Sequence, residues 1–222
     1  MTSKIADQVE GSAATDQRRE QLLVAAAELI AERGFSDTRI SDVARRVGVS
    51  PALVIYYFGT KDSLLTAALR AADERFYMTC SAMLERTPAL RDRLERLVRL
   101  TCVPEGDTDV PGAAWQLYFD LWAQALRHPA VAKDRLEMDA RWRGIIASVV
   151  RDAIQSGEID GVDAMEFAVT WAVLLDGLSI QVALKDDVVD PERAFSIAMA
   201  FAERDLGLAP RLPAGRRPRL TR

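Results

Sequence analysis

Histidine is almost missing from this chain: His128 is the only one in 222 residues. A Ser-His-Asp hydrolase would have to be built on that residue, and a two-histidine zinc site is excluded. Cysteine is nearly as scarce. Cys80 and Cys102 are too few for a disulfide scaffold or a four-cysteine metal site. There is no glycine-rich phosphate loop and no nucleophile–base pair in a recognisable spacing. These gaps argue against an enzyme and against a metal or other cofactor. No apolar run approaches the roughly 18 residues of a membrane span, and residues 1–15 lack the apolar stretch of a secretory signal. The expected setting is the cytosol, with no membrane partner.

What is present is helical period. Leu22, Ala26, Leu29 and Ile30 recur at i, i+4, i+7 and i+8, and Gly34 closes the run as a left-handed cap. Ile40, Val43, Ala44 and Val47 repeat the pattern, closed by Gly48. Ser50-Pro51 opens a short helix ending near Tyr57, with a capping hydroxyl and a proline at the first helical position. Thr60 can cap a longer helix carrying Leu65, Leu69, Ala72 and Phe76. Further stripes run through Leu90–Val98, Trp115–Leu126, Met138–Val149, Phe167–Val182 and Phe195–Leu206. No stretch alternates as a strand does. The expected fold is all-α, with about nine helices over roughly two-thirds of the chain, about twice the usual share.

The charge is unevenly spread. Residues 15–70 hold eight basic side chains against seven acidic ones, and residues 71–206 hold fifteen against twenty-four. Residues 207–222 add five arginines and no acid. The net charge of −4 therefore conceals a first segment and a tail that are spared the acidity. The expected organisation is a disordered lead-in over residues 1–14, a small helical domain over 15–60, a larger helical bundle over 61–206, and a disordered basic tail over 207–222.

The informative segment runs from Thr38 to Leu65. It holds two short helices joined by Gly48-Val49-Ser50, and a glycine there permits the steep reversal of a helix-turn-helix. In such a unit the second helix lies in the DNA major groove, so the exposed Pro51, Ala52, Leu53 and Tyr56 would face base edges. The residues Gly34-Phe35, Thr38, Asp42-Val43-Ala44, Gly48-Val49-Ser50, Tyr57-Phe58-Gly59-Thr60-Lys61 and Leu64 resemble the TetR family of bacterial transcriptional regulators over about 47 residues. The resemblance implies an N-terminal three-helix DNA-binding domain, a C-terminal ligand-binding and dimerisation bundle, and repression relieved by a small molecule. By the same resemblance Thr38 would cap the second helix and approach a phosphate. Arg39 would reach phosphate or a base edge, Ser50 would cap the recognition helix, and Tyr57 and Lys61 would contact phosphate. Ile55 departs from the family, which usually has a tyrosine there. Because no Arg, Asn or Gln lies between Pro51 and Tyr57, bidentate base contacts are unavailable from this helix. Thymine-methyl contacts, backbone contacts and DNA shape are the expected source of selectivity.

The C-terminal half resembles the ligand-binding domain of the BetI-type branch through Trp115, Leu121-Trp122, Ala125, Pro129, Trp142, Gly157-Glu158 and Leu175-Asp176-Gly177-Leu178. Trp115, Phe119, Trp122, Trp142 and Trp171 sit on inward stripes, as core or as walls of an effector pocket, since aromatic faces attract quaternary ammonium groups. Asp176 lies on an apolar stripe, where a buried carboxylate needs a partner: a cationic ligand, a neighbouring helix or a dimer mate. Gly177, mid-helix, suggests close packing against another backbone. Residues 163–182 and 191–206 are the candidate homodimer surface. The expected function is a repressor that binds a pseudo-palindromic operator as a homodimer and is released by a small-molecule effector. An activator of the same fold, or a helical small-molecule carrier that never engages DNA, remains open at this point.

Overall fold

The computed structural model describes the backbone of residues 2–103 and 114–209, and the side chains of residues 15–103, 118–129 and 131–209. Among them are nine helices and no strand. In chain order these are α1 (Thr2–Arg33), α2 (Ile40–Val47), α3 (Pro51–Phe58), α4 (Lys61–Glu85), α5 (Leu90–Cys102), α6 (Ala114–Ala125), α7 (Pro129–Gln155), α8 (Ala164–Ala183) and α9 (Pro191–Asp205).

The chain divides into two compact units, Met1–Glu85 with Glu105–Arg141, and Arg86–Pro104 with Trp142–Arg222. The first is organised around α1, which packs against α4, α2 and α6. Its core joins Leu22, Leu29 and Ile30 of α1 to Val43 and Ala44 of α2, Val54 of α3, Leu64, Leu65 and Leu69 of α4, Leu121 of α6, and Val131 and Met138 of α7. A boundary between residues 60 and 61 therefore does not separate the units. α2 and α3 are eight residues each, too short to cover the apolar surface of α1 alone, so α4 and α6 complete its burial.

The expected lead-in is also redrawn, because α1 begins at Thr2. A helix already nucleated extends at one hydrogen bond per residue, and no proline interrupts the chain before Pro51. Most of the expected basic tail, residues 210–222, lies outside the described residues, as does the Pro/Gly/Asp stretch 104–112. The carbonyl of Ala209, just before that tail, accepts from the Arg91 guanidinium, which also bridges to Glu203.

The second unit comprises α5, the later part of α7, α8 and α9. α8 packs on both α5 and α9. Trp171 is its keystone: it is fully buried, its ring stacks on Phe167 at 5.6 Å, and its indole N–H donates to the Ala198 carbonyl at 3.1 Å. Asp163 caps α8 by accepting from the N–H groups of Met165 and Glu166, and Asp190 caps α9 through Arg193 N–H. Both helices thus start where the sequence places them. By length and composition α8 could cross a membrane, but it buries Phe167, Trp171 and Leu175 in the fold, as a core helix does.

Gly177 corrects an expectation. It is exposed, and among the described residues nothing lies within 4 Å of a Cβ built there. Among the described residues no backbone of this chain presses on it, which leaves a dimer mate as the backbone it would meet. The glycine lies on the outward face of α8 with Val173, because its inward neighbours Leu175 and Leu178 already fill the core side.

Candidate nucleic-acid interface

The pair α2–α3 is set by two local devices. Gly48 ends α2 at φ +74°, a left-handed conformation that few residues other than glycine adopt cheaply, and its N–H bonds back to the Arg45 carbonyl. Ser50 then starts α3: its backbone is extended, its Oγ accepts from Leu53 N–H at 3.2 Å, and Pro51 takes the first helical position. α3 buries one residue fully, Val54. Pro51, Ala52, Ile55 and Tyr56 are exposed, Ile55 by 50% and Tyr56 by 81%. Their spacing, i, i+1, i+4 and i+5, puts them on one face. Leu53 is half-buried, as are Tyr57 and Phe58, which pack against the unit's core. Tyr57 meets Tyr56 edge-on at 5.6 Å.

The cations around this face are placed differently from one another. Arg39 is the N-cap residue of α2 and is exposed, with no side-chain capping bond and, among the described residues, no ion pair. Lys61 begins α4 as expected, but its ammonium donates to the Ser36 carbonyl at 2.7 Å, so it staples the α1–α2 turn and keeps two further donors. Arg45 pairs with Asp42 on its own helix. Arg46 grips α1, making two bonds to Glu32 at 2.9 and 2.8 Å and one to Glu28 at 3.3 Å.

Thr38 is the clear correction. It neither caps α2 nor faces outward. It is fully buried, and its hydroxyl donates to the Gly34 carbonyl at 2.8 Å. The end of α1 leaves carbonyls without helical partners. Thr38 satisfies one of them, which makes it a brace for the turn and removes it from phosphate reach.

Two features were missed in the sequence. Ile55, noted there only as a departure from the family's tyrosine, lies on the exposed α3 face. Its position four residues after Pro51 was the available clue. The second is Asp120 of α6, whose Oδ2 accepts from the Phe35 N–H at 2.9 Å, across 85 residues of sequence. Gly34, at φ +86°, leaves room for that carboxylate, which would lie 3.4 Å from a Cβ there. The end of α1 is thus closed by a side chain from α6.

α4 is tied to the same framework. Asp73 is buried, accepts from the Tyr118 hydroxyl at 3.1 Å, and lies 3.7 Å from the Arg141 guanidinium. Burial pushes its carboxyl up to about 6, against the opposing pull of Tyr118 and Arg141. Arg141 also bonds Glu74 at 2.8 Å and lies 4.1 Å over the Tyr77 ring, whose hydroxyl donates to the Met138 carbonyl. Arg70 donates to Asp134 at 2.9 Å. Burial raises the Cys80 thiol to about 12 and the Cys102 thiol to about 11, which suppresses thiolate chemistry at both. Among the described residues no group of His, Cys, Asp or Glu could hold a metal.

The effector candidates do not form one group. Phe119 and Trp122 are half-buried on α6, with rings 5.8 Å apart. Trp142, also half-buried, falls in the second unit with Asp176 and Trp171. Trp171 has its indole donor satisfied within the core. The side chain of Trp115 lies outside the described residues.

Comparison with known proteins matches both halves of the chain. Residues 22–68 match the family model described as bacterial regulatory proteins, tetR family, and residues 88–207 match the BetI-type transcriptional repressor C-terminal model. The HTH-type transcriptional regulator BetI of Pseudomonas aeruginosa PAO1 is 30% identical over 192 residues, covering 85% of this chain and 93% of that protein. BetI of Escherichia coli K12 DH10B is 30% identical over 191 residues, covering 85% and 94%. Among solved structures, a transcriptional regulator from Saccharomonospora viridis in complex with choline superposes with a TM-score of 0.76 at 28% identity, covering 86% of this chain and 98% of that one. A TetR-family regulator from Rhodococcus sp. gives 0.71 at 31% identity, covering 86% and 99%. Matched in both halves, and aligned with regulators over more than four-fifths of its length, this protein belongs to the TetR family of bacterial transcriptional regulators, in its BetI-type branch, and is not an enzyme.

Proposed function

We propose that the protein is a cytoplasmic repressor that binds a pseudo-palindromic operator as a homodimer through α3 and is released by a small-molecule effector. The observation that carries this reading is the outer face of α3: Pro51, Ala52, Ile55 and Tyr56 are exposed together. A 12 Å major groove admits one such helix. Tyr57 and the spare donors of Lys61 supply phosphate contacts, and Ser50 holds the helix start.

Dimerisation is proposed through residues 163–182 and 191–206. Met165, Val169, Val173 and Leu184 are exposed along α8, and three of them repeat every four residues with Gly177 continuing the line. A two-fold dimer would set two reading helices about one DNA turn apart. The effector candidates are Phe119 and Trp122 in the first unit and, separately, Trp142 and Trp171 in the second, where Asp176 is the candidate counter-charge for a cation; Trp115 is a candidate by sequence alone. A quaternary ammonium is the class to test first, since the Saccharomonospora viridis structure is in complex with choline. Coupling would run through α4, whose first residue holds the α1–α2 turn and whose Asp73 holds α6. An effector that favours a spacing unsuited to the operator weakens DNA binding by the same factor with which DNA weakens the effector.

The test is a titration of the full-length protein with a duplex enriched by it from a randomised pool, at two salt concentrations. Affinity should fall steeply with salt, as released counterions require. Tyr57→Phe should bind several-fold more weakly while remaining a folded dimer. Salt-independent binding, or no binding, would favour the carrier reading.

A further inference from the structure

We infer that α3 selects operator bases through the methyl group at C5 of pyrimidines, thymine above all, with Ile55 and Tyr56 as the surface that seeks it. This rests on the operator-binding reading and adds what is read. Hydrogen-bond readout in the major groove needs bidentate partners: Arg or Lys for guanine, Asn or Gln for adenine. The exposed face of α3 has none of these, since it is made of Pro51, Ala52, Ile55 and Tyr56. Its one polar side-chain atom is the Tyr56 hydroxyl, a single group that both donates and accepts and so discriminates poorly between base edges.

The nearby cations do not repair the deficit. Arg46 is bonded to Glu32 and Glu28 of α1, Arg45 to Asp42, and Lys61, on α4, to the Ser36 carbonyl, its remaining donors being those proposed for phosphate. Arg39 is free of such partners, but it precedes α2 and is not part of α3. What the face does offer is apolar surface kept in water at a cost, with Ile55 half exposed and Tyr56 four-fifths exposed. In the major groove the matching apolar group is the pyrimidine C5-methyl. Burying one methyl is worth about 0.8 kcal/mol, which corresponds to about fourfold in affinity.

The experiment uses full-length protein and the duplex enriched from a randomised pool. Each thymine in both half-sites is replaced in turn by deoxyuridine, which removes only the methyl. At one or two positions per half-site affinity should fall about fourfold per methyl, or roughly sixteenfold for the symmetric pair. The salt slope should not change, because no phosphate contact is lost. Cytosine at those positions should bind weakly, and 5-methylcytosine should recover part of the loss. Ile55→Ala or Tyr56→Ala should bind the thymine and uracil duplexes equally at the affected position. Both side chains are exposed, so the fold tolerates either change. Indifference to uracil everywhere, or a uracil penalty that survives both variants, would overturn the inference while leaving operator binding intact. Failure to enrich any duplex would overturn the operator reading and this inference with it.

Discussion

α3 and α8 each hold apolar side chains out in water, in separate units of the chain, and the contrast between them separates two kinds of recognition. On α3 the exposed face is two turns long, and the segments that flank α3 in sequence carry Arg39, Arg45, Arg46 and Lys61. On α8 it runs from Met165 to Leu184, and the exposed polar side chains next to it include Glu166, Thr170, Gln181 and Lys185. A short apolar face among cations suits a polyanion with a groove. A long one, rimmed by neutral polar groups and charges of both signs, suits a second copy of itself. The two helices also differ in what lies behind the face. α3 is anchored by Val54 and half-buried aromatics, whereas α8 is anchored by Trp171, Phe167 and Leu175. The reading helix is therefore held lightly and locally, while the proposed dimer helix is part of a rigid core.

The largest effects should separate the two sides of α8. Trp171→Ala removes a filled core volume and the bond to Ala198, so it should destabilise the protein by about 3–5 kcal/mol in chemical denaturation. Val173→Glu, two residues on and about 200° around the helix, pointing outward, should leave the denaturation midpoint of the second unit nearly unchanged. It should halve the mass measured by light scattering and weaken operator binding more than a hundredfold. If both variants simply unfold, the distinction between inward and outward faces fails.

Asp120→Ala is the corresponding test at the reading end. It strips the Phe35 N–H of its partner, and an unsatisfied buried donor costs about 1–3 kcal/mol. Operator affinity should fall although no DNA-facing residue has changed, and amide exchange should quicken at the end of α1.

A smaller, pH-dependent effect belongs to Asp73. Its carboxyl sits at about 6, above the ordinary 3.8, so the folded chain keeps a proton that the unfolded chain loses between those values. The group's contribution to stability is full below about pH 4 and is lost as pH rises through about 6. The change is at most about 3 kcal/mol across that window. Tyr118 and Arg141 favour the ionised form, while Glu74 and Asp139 oppose it. Asp73→Asn should flatten this part of the stability profile, measured by urea midpoints from pH 4 to 7.

These positions also mark where a single sequence stops being readable. Gly48, Ser50 and Pro51 were legible because a cap is a local event: the residue type names the backbone it permits. Asp163 and Asp190 cap α8 and α9 in the same local way, although neither was read as a cap from the sequence. Thr38 was misread because its partner is a carbonyl that becomes available only when α1 ends at Gly34. Asp120 could not be read at all, since the N–H it serves lies 85 residues away and only the tertiary fold joins them. The unit boundary was misplaced for a related reason. A motif marks where DNA is touched, whereas a compact unit is set by how much helix is needed to bury α1.

The most direct test of the central claim, that two α3 helices read one site together, is footprinting of the full-length protein on a duplex it has itself enriched. The account predicts two symmetric protected half-sites about 34 Å apart, saturating at two chains per duplex. A single unrepeated footprint occupied by one chain, or a duplex left unprotected at low salt, would contradict it.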